Sequence, residues 1–254
     1  MSIVASELIP YCAINRPTDD VSTGGGSLAD TTAAAVGNKG VRPNFTQWSA
    51  NAVITFQSTA AGDTATATIN GRATTGAINS DSFAMTGVTE KVGTITFERI
   101  LDFSIGAVAV GTITVRQAAG GTTRYTIPIG EVGASALFKR SASGGGILIR
   151  YDKVFWKNTN ASLTLNSAAV MLTADPDARI RIGVHTAKGD SATIANRLTA
   201  PAGVSFVDDS VSQNVPTGTL AAAENIGVWI EENLPANDPP HRTTFTLQLS
   251  GTTV

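Results

Sequence analysis

The chain has 254 residues, 42% of them apolar and 15% charged, with a formal net charge of −2 and a pI near 5.7. This length and apolar content suit one large β-domain or two ordinary ones and exclude a chain disordered throughout. The slightly acidic balance argues against nucleic acid as partner, because phosphate binding needs clustered positive charge. No apolar run approaches the ~20 residues of a membrane helix, so no membrane partner is expected. The opening "MSIVASELIPYCAINRP" lacks the basic and apolar regions of a secretory signal. Cys12 is the only cysteine, which excludes an intrachain disulfide and fits assembly in a reducing cytosol.

In chain order, residues 1–48 are expected to form an extended Gly-rich arm. The arm carries "TGGGS" and an Ala-rich stretch, without the periodicity of a core strand or helix. From Trp48 the apolar period becomes two. Ala52, Ile54 and Phe56 share one face, as do Ala65, Ala67 and Ile69, and then Phe83 and Met85. Ile95, Phe97, Leu101, Phe103 and Ile105 continue it, with Arg99 as the exception that a bulge would excuse. Ile113 and Val115 follow, then Tyr125, Ile127 and Ile129. Gly-containing turns separate these runs. The pattern predicts a β-sandwich over residues 49–140. After "SASGGG" (Ser141 to Gly146), a plausible boundary, "ILIRYDKVFWKN" is apolar on both faces, as in a central strand. Further alternating runs, ending with Phe245, Leu247 and Leu249, predict a second sandwich over residues 147–254. "SATIANRL" carries the one weak helical signal. The expected fold class is all-β, with two antiparallel β-sandwich domains behind the arm.

The chemistry is sparse. The two histidines, His185 and His241, lie in expected loops or strand ends with no partnered nucleophile, so no catalytic residue is assigned and no enzyme is expected. Asp175 and Asp177 in "TADPDARIR" are too few ligands for a calcium loop and read as turn-capping residues. No metal or cofactor site is assigned. The glycine triplets, Gly24, Gly25 and Gly26 and later Gly144 to Gly146, lack the Lys-Ser/Thr pair of a phosphate loop and read as linkers. Exposed aromatic platforms for sugars are not evident, although Trp48, Trp156 and Trp229 cannot be placed from sequence.

The segment from Ile69 to Ile105 resembles the Ig-like modules of tailed-bacteriophage structural proteins, through Gly71, Gly76, Gly87, Thr89, Phe97, Ile100 and Ile105. The stretch around Tyr151, Lys153, Phe155 and Asn158 is similar to a strand of small phage virion proteins. The resemblance implies an Ig-like first sandwich and a non-enzymatic virion component. The favoured role is a capsid decoration or cement protein, assembled in the host bacterial cytoplasm. Its partners would be its own copies, with a trimer as one arrangement, and the major capsid protein. The alternatives are a ring-forming tail or neck protein and a receptor- or glycan-binding fibre module. On this reading Ile3, Val4, Leu8, Ile9 and Ile14 are the assembly arm's apolar contacts, and Gly24, Gly25 and Gly26 are its hinge.

Overall fold

The computed structural model describes residues 2–30, 34–139, 144–238 and 244–253. Its strands, in chain order, are β1 (Leu8–Asn15), β2 (Gly24–Leu28), β3 (Val41–Arg42), β4 (Ile54–Ser58), β5 (Thr66–Ala73), β6 (Ile78–Ala84), β7 (Lys91–Val92), β8 (Phe97–Ile105), β9 (Ile113–Gln117) and β10 (Thr122–Ile127). They continue with β11 (Gly133–Ser135), β12 (Leu148–Asn158), β13 (Leu165–Ala174), β14 (Ile180–Lys188), β15 (Thr193–Ile194), β16 (Ser212–Asn214), β17 (Thr219–Leu220), β18 (Asn225–Leu234) and β19 (Thr246–Thr252). The chain divides into two compact units, Ala29–Ala136 and Met1–Leu28 together with Leu137–Val254.

In the unit Ala29–Ala136, a five-stranded sheet runs β3-β11-β8-β5-β6 and a four-stranded sheet runs β10-β9-β4-β7. The period of two explains the pairing. Ala67, Ile69, Phe97, Phe103 and Ile105 from one sheet and Ile54, Phe56, Ile113 and Val115 from the other are all buried. Phe56 meets Phe83 and Phe103 edge to face, at 5.8 and 6.0 Å between ring centres. The register between β5 and β8 shifts twice around Arg99, which lets Arg99 leave the core and brings both Ile100 and Leu101 into it. Gly71 is required there, because a Cβ would stand 2.6 Å from the Arg99 carbonyl oxygen and run into the Phe97 ring. Ile129 departs from expectation: it lies beyond Pro128, past the end of β10, and is 66% exposed. Asp63 closes the loops at one end, accepting from Ser58 Oγ at 2.5 Å, Val110 N at 2.8 Å and Gly111 N at 2.9 Å. Burial alone would push its carboxyl pKa up, but these bonds outweigh burial and hold it below the ordinary value. Phe97 is fully buried, so Phe97→Ala is expected to cost ~3–5 kcal/mol in a denaturant titration; a loss under ~1 kcal/mol would contradict this packing.

The other unit is built on a six-stranded sheet ordered β14-β18-β12-β1-β2-β15. A smaller sheet has β13 at its centre, paired with β16 and β17 and with β19. Both faces of the large sheet are covered. Val154, Ile180, Ile182, Ile226, Val228 and Ile230 pack with Val170, Leu172, Leu220 and Leu249 of the small sheet. On other parts of the large sheet, Tyr11, Ala13, Leu28 and Phe155 form one cluster, and Tyr151, Ile194 and Trp229 another. The segment expected to be helical instead contains β15 and a turn.

Three expectations are therefore corrected. The composition is all-β, but the described residues form four sheets, the sheet count of a four-bladed β-propeller, rather than two sandwiches in series. The Ig-like order also fails. In an Ig module the first two strands of the domain lie side by side in one sheet, whereas here β3 lies beside β11 and β4 between β7 and β9. Finally, the opening segment is not an arm laid on a neighbouring subunit but docks as strands on its own chain. β1 pairs with β12 from Leu8↔Asn158 to Cys12↔Val154, and β2 pairs with β1 and β15. An apolar segment whose backbone groups need partners finds them within its own chain.

Candidate functional site

The large sheet holds charge at its centre. The β12 sequence places Tyr151, Lys153 and Phe155 on one face, and β18 sets Trp229 directly opposite Lys153. Lys153 has no exposed side-chain surface and its partner Asp190, just after β14, is 5% exposed. Lys153 Nζ donates to Asp190 Oδ1, to the Gly26 carbonyl at 3.1 Å and to the Ala192 carbonyl at 3.2 Å. It also lies 4.7 Å from the Phe155 ring centre and 5.1 Å from that of Trp229. Burial pulls the Lys153 pKa below the ordinary lysine value, and Asp190 offsets only part of that pull. Asp190 Oδ2 is buried without a hydrogen-bond partner among the described residues, and His185 Nδ1 stands 3.6 Å from it.

The glycines make this arrangement possible. Gly25, at φ +78°, lies under the Trp229 ring, and a Cβ there would stand 2.9 Å from the Ala192 carbonyl oxygen. A Cβ at Gly227 would come within 2.8 Å of Lys153 Cε and collide with Asp190. The triplet Gly24, Gly25 and Gly26 is thus a buried strand, not a hinge.

A second ionic group gathers near the start of β12. Arg150 grips Asp20 with two bonds of 2.8 Å and lies 3.7 Å from Glu232. Arg197 is fully buried, 3.5 Å from Asp152 and 4.0 Å from Asp20, and stacks 5.5 Å from the Phe138 ring centre. None of its guanidinium nitrogens has a hydrogen-bond partner among the described residues. Asp152 also accepts from Phe138 N at 2.9 Å. These groups convert the opening segment, β12 and the loop after β15 into one charged interior.

No family model, characterised protein or solved structure matches the chain. The phage likeness therefore stands on short motifs alone, and its Ig-like part is contradicted by the strand order. Tyr151, Lys153, Phe155 and Asn158, read as a virion-type strand, instead form part of a buried sheet. Tyr151 and Phe155 pack in its clusters and Lys153 is its ionic centre. Asn158 Nδ2 donates to the carbonyls of Leu163 and Leu220.

The remaining sequence candidates are dispersed. Leu8 and Ile3 pack against the core between the two sheets, Ile9 packs beside Tyr11, and the Ile14 side chain lies against Gly26. Of these apolar residues Val4 is the one that is exposed, at 52%. His185 approaches Asp190, while His241 lies outside the described residues. Cys12 is buried in β1. Asp175 accepts from Ile180 N at 2.7 Å, in a turn that carries the chain from the small sheet to the large one. Among the described residues no group of three or more acidic, His or Cys side chains is placed to hold a metal ion, and no helix is long and apolar enough to cross a membrane.

Sequence reasoning missed Asp190, Arg150, Asp20 and Arg197, and named Lys153 only as part of the phage-like strand. A usable signal was present. A strand apolar enough to be buried on both faces, yet carrying Arg150, Asp152 and Lys153, must find internal partners for those charges.

Proposed function

We propose that the chain is a non-enzymatic structural protein that acts as a homo-oligomer, stabilising a larger assembly through contacts between subunits. The observation that carries this reading is a set of exposed apolar residues on two neighbouring loops of the unit Ala29–Ala136. Val108, Val110 and Ile129 are 41%, 63% and 66% exposed. Two backbone bonds, from Ala109 N to the Glu131 carbonyl and from Gly130 N to the Ala109 carbonyl, hold their two loops side by side at 3.0 and 2.9 Å. Branched side chains presented together on fixed loops cost free energy in water and gain it at a protein contact. The ionic interior described above supports the same reading, since those charges are spent on joining strands. A glycan-binding role is disfavoured by the tryptophans: Trp48 and Trp229 are buried and Trp156 is largely so.

Sedimentation velocity across a wide concentration range tests the proposal. The native chain should sediment as an oligomer, and Val110→Asp with Ile129→Asp should shift it to monomer without changing its circular dichroism. A native chain that is monomeric throughout, or an oligomer indifferent to both changes, would overturn the proposal.

A further inference from the structure

We propose that the folded chain joins Lys153 to Asp190 through an amide bond between their side chains. The two groups are in contact in the sheet interior, with Lys153 Nζ against Asp190 Oδ1, and neither has appreciable access to water. An ionic pair at such a position keeps two charges out of solvent, whereas an amide keeps none. The Phe155 and Trp229 rings wall the pair, and a side chain at Gly25 or Gly227 would run into that pair or those walls. Asp190 is also unevenly solvated. Oδ1 accepts from Lys153 Nζ and from Ala192 N at 3.0 Å, but Oδ2 is buried with no hydrogen bond among the described residues, so one of the two oxygens loses its hydration without a replacement.

The chemistry balances within the chain. The ammonium passes one proton to the carboxylate, leaving a neutral amine and a carboxylic acid. The depressed basicity of Lys153 favours that exchange. The Nζ lone pair then attacks Asp190 Cγ, forming the carbon–nitrogen bond. The carbon–oxygen bond at Oδ2 breaks, and that oxygen leaves as water with two of the three original ammonium protons. His185, whose Nδ1 lies 3.6 Å from Oδ2, is the group placed to carry a proton to the departing oxygen. The one remaining N–H keeps an acceptor in the Gly26 or Ala192 carbonyl, both already within hydrogen-bond reach of Nζ. No oxidant, metal or co-reactant is needed. The product would tie β12 covalently to the loop following β14.

Intact mass measured under denaturing conditions, on the purified native chain after overnight incubation near neutral pH, is the test. The chain should be lighter than its sequence by one water, and digestion should yield a branched peptide joining the Lys153 and Asp190 fragments. Lys153→Arg, which keeps the charge but cannot form this amide, should restore the full sequence mass. A native chain of full sequence mass would overturn the proposal. So would a water loss confined to linear peptides, because a cyclic imide at Asp190-Ser191 gives the same mass change without the branch.

Discussion

Removing residues 1–28 should abolish folding of the unit they share with residues 137–254. The deletion takes out β1 and β2, which lie inside the six-stranded sheet between β12 and β15. It strips β12 of backbone partners from Val154 to Asn158 and removes the cluster of Tyr11, Ala13 and Leu28 from Phe155. It also removes Asp20 from Arg150 and the Gly26 carbonyl from Lys153. Each fully buried large apolar side chain is worth ~1.5–3 kcal/mol, and orphaning a buried charge costs several more, so the loss is of the same order as the whole ~5–15 kcal/mol stability of ordinary proteins. Hydrogen exchange on the truncated chain should show unprotected amides in β12, β14 and β18 while β5 and β8 retain protection. Native-like protection in β12 would mean that the opening segment is dispensable, as a free arm would be.

Measured against the chain in which Lys153 and Asp190 are still an ion pair, Asp190→Ala should destabilise the same unit by ~3–5 kcal/mol, the range seen when one member of a buried ion pair is deleted. Lys153 would remain walled by Phe155 and Trp229, with only the carbonyls of Gly26 and Ala192 to receive its protons. Asp190→Asn, which retains an acceptor oxygen, should cost less. Replacing Lys153 by Met together with Asp190→Ala should recover much of the loss, because the buried charge goes with its partner. Urea titrations followed by tryptophan fluorescence would read all three. A loss below ~1 kcal/mol for Asp190→Ala would show that the fold does not depend on compensating Lys153.

The sequence carried the local rule and concealed the long-range one. Alternation made Ile54, Phe56, Ala67, Ile69, Phe97, Phe103 and Ile105 readable as inward residues, because in a sheet with two distinct faces burial repeats every second position. A bulge at Arg99 could be anticipated for the same reason. Gly24, Gly25 and Gly26 carry no such signal. A strand without side chains looks like a linker until its covering residues are known, and these are Trp229 and Ile194, far along the chain. The ion pairs were opaque in the same way. Arg150 with Asp20, and Lys153 with Asp190, join positions 130 and 37 residues apart, and no local pattern announces such partners. The strand order that excludes an Ig-like module likewise depends on which strand settles beside β4, a choice that the period of two leaves open.

The insertion of one unit within the other also sets a timetable for synthesis. β1 leaves the ribosome long before β12, because residues 29–136 must be made between them. At roughly 5–20 residues per second, β1 waits on the order of ten seconds for β12, and β2 waits longer still for β15. During that interval the unit Ala29–Ala136 has all of its own strands and can close, which brings the two ends of the insertion to fixed positions. The early strands have only each other to pair with during that time, and Pro10 within β1 and the triple glycine of β2 make them poor templates for one another's copies on neighbouring ribosomes. The residues that ease close packing in the finished sheet thus also protect the nascent chain while it waits.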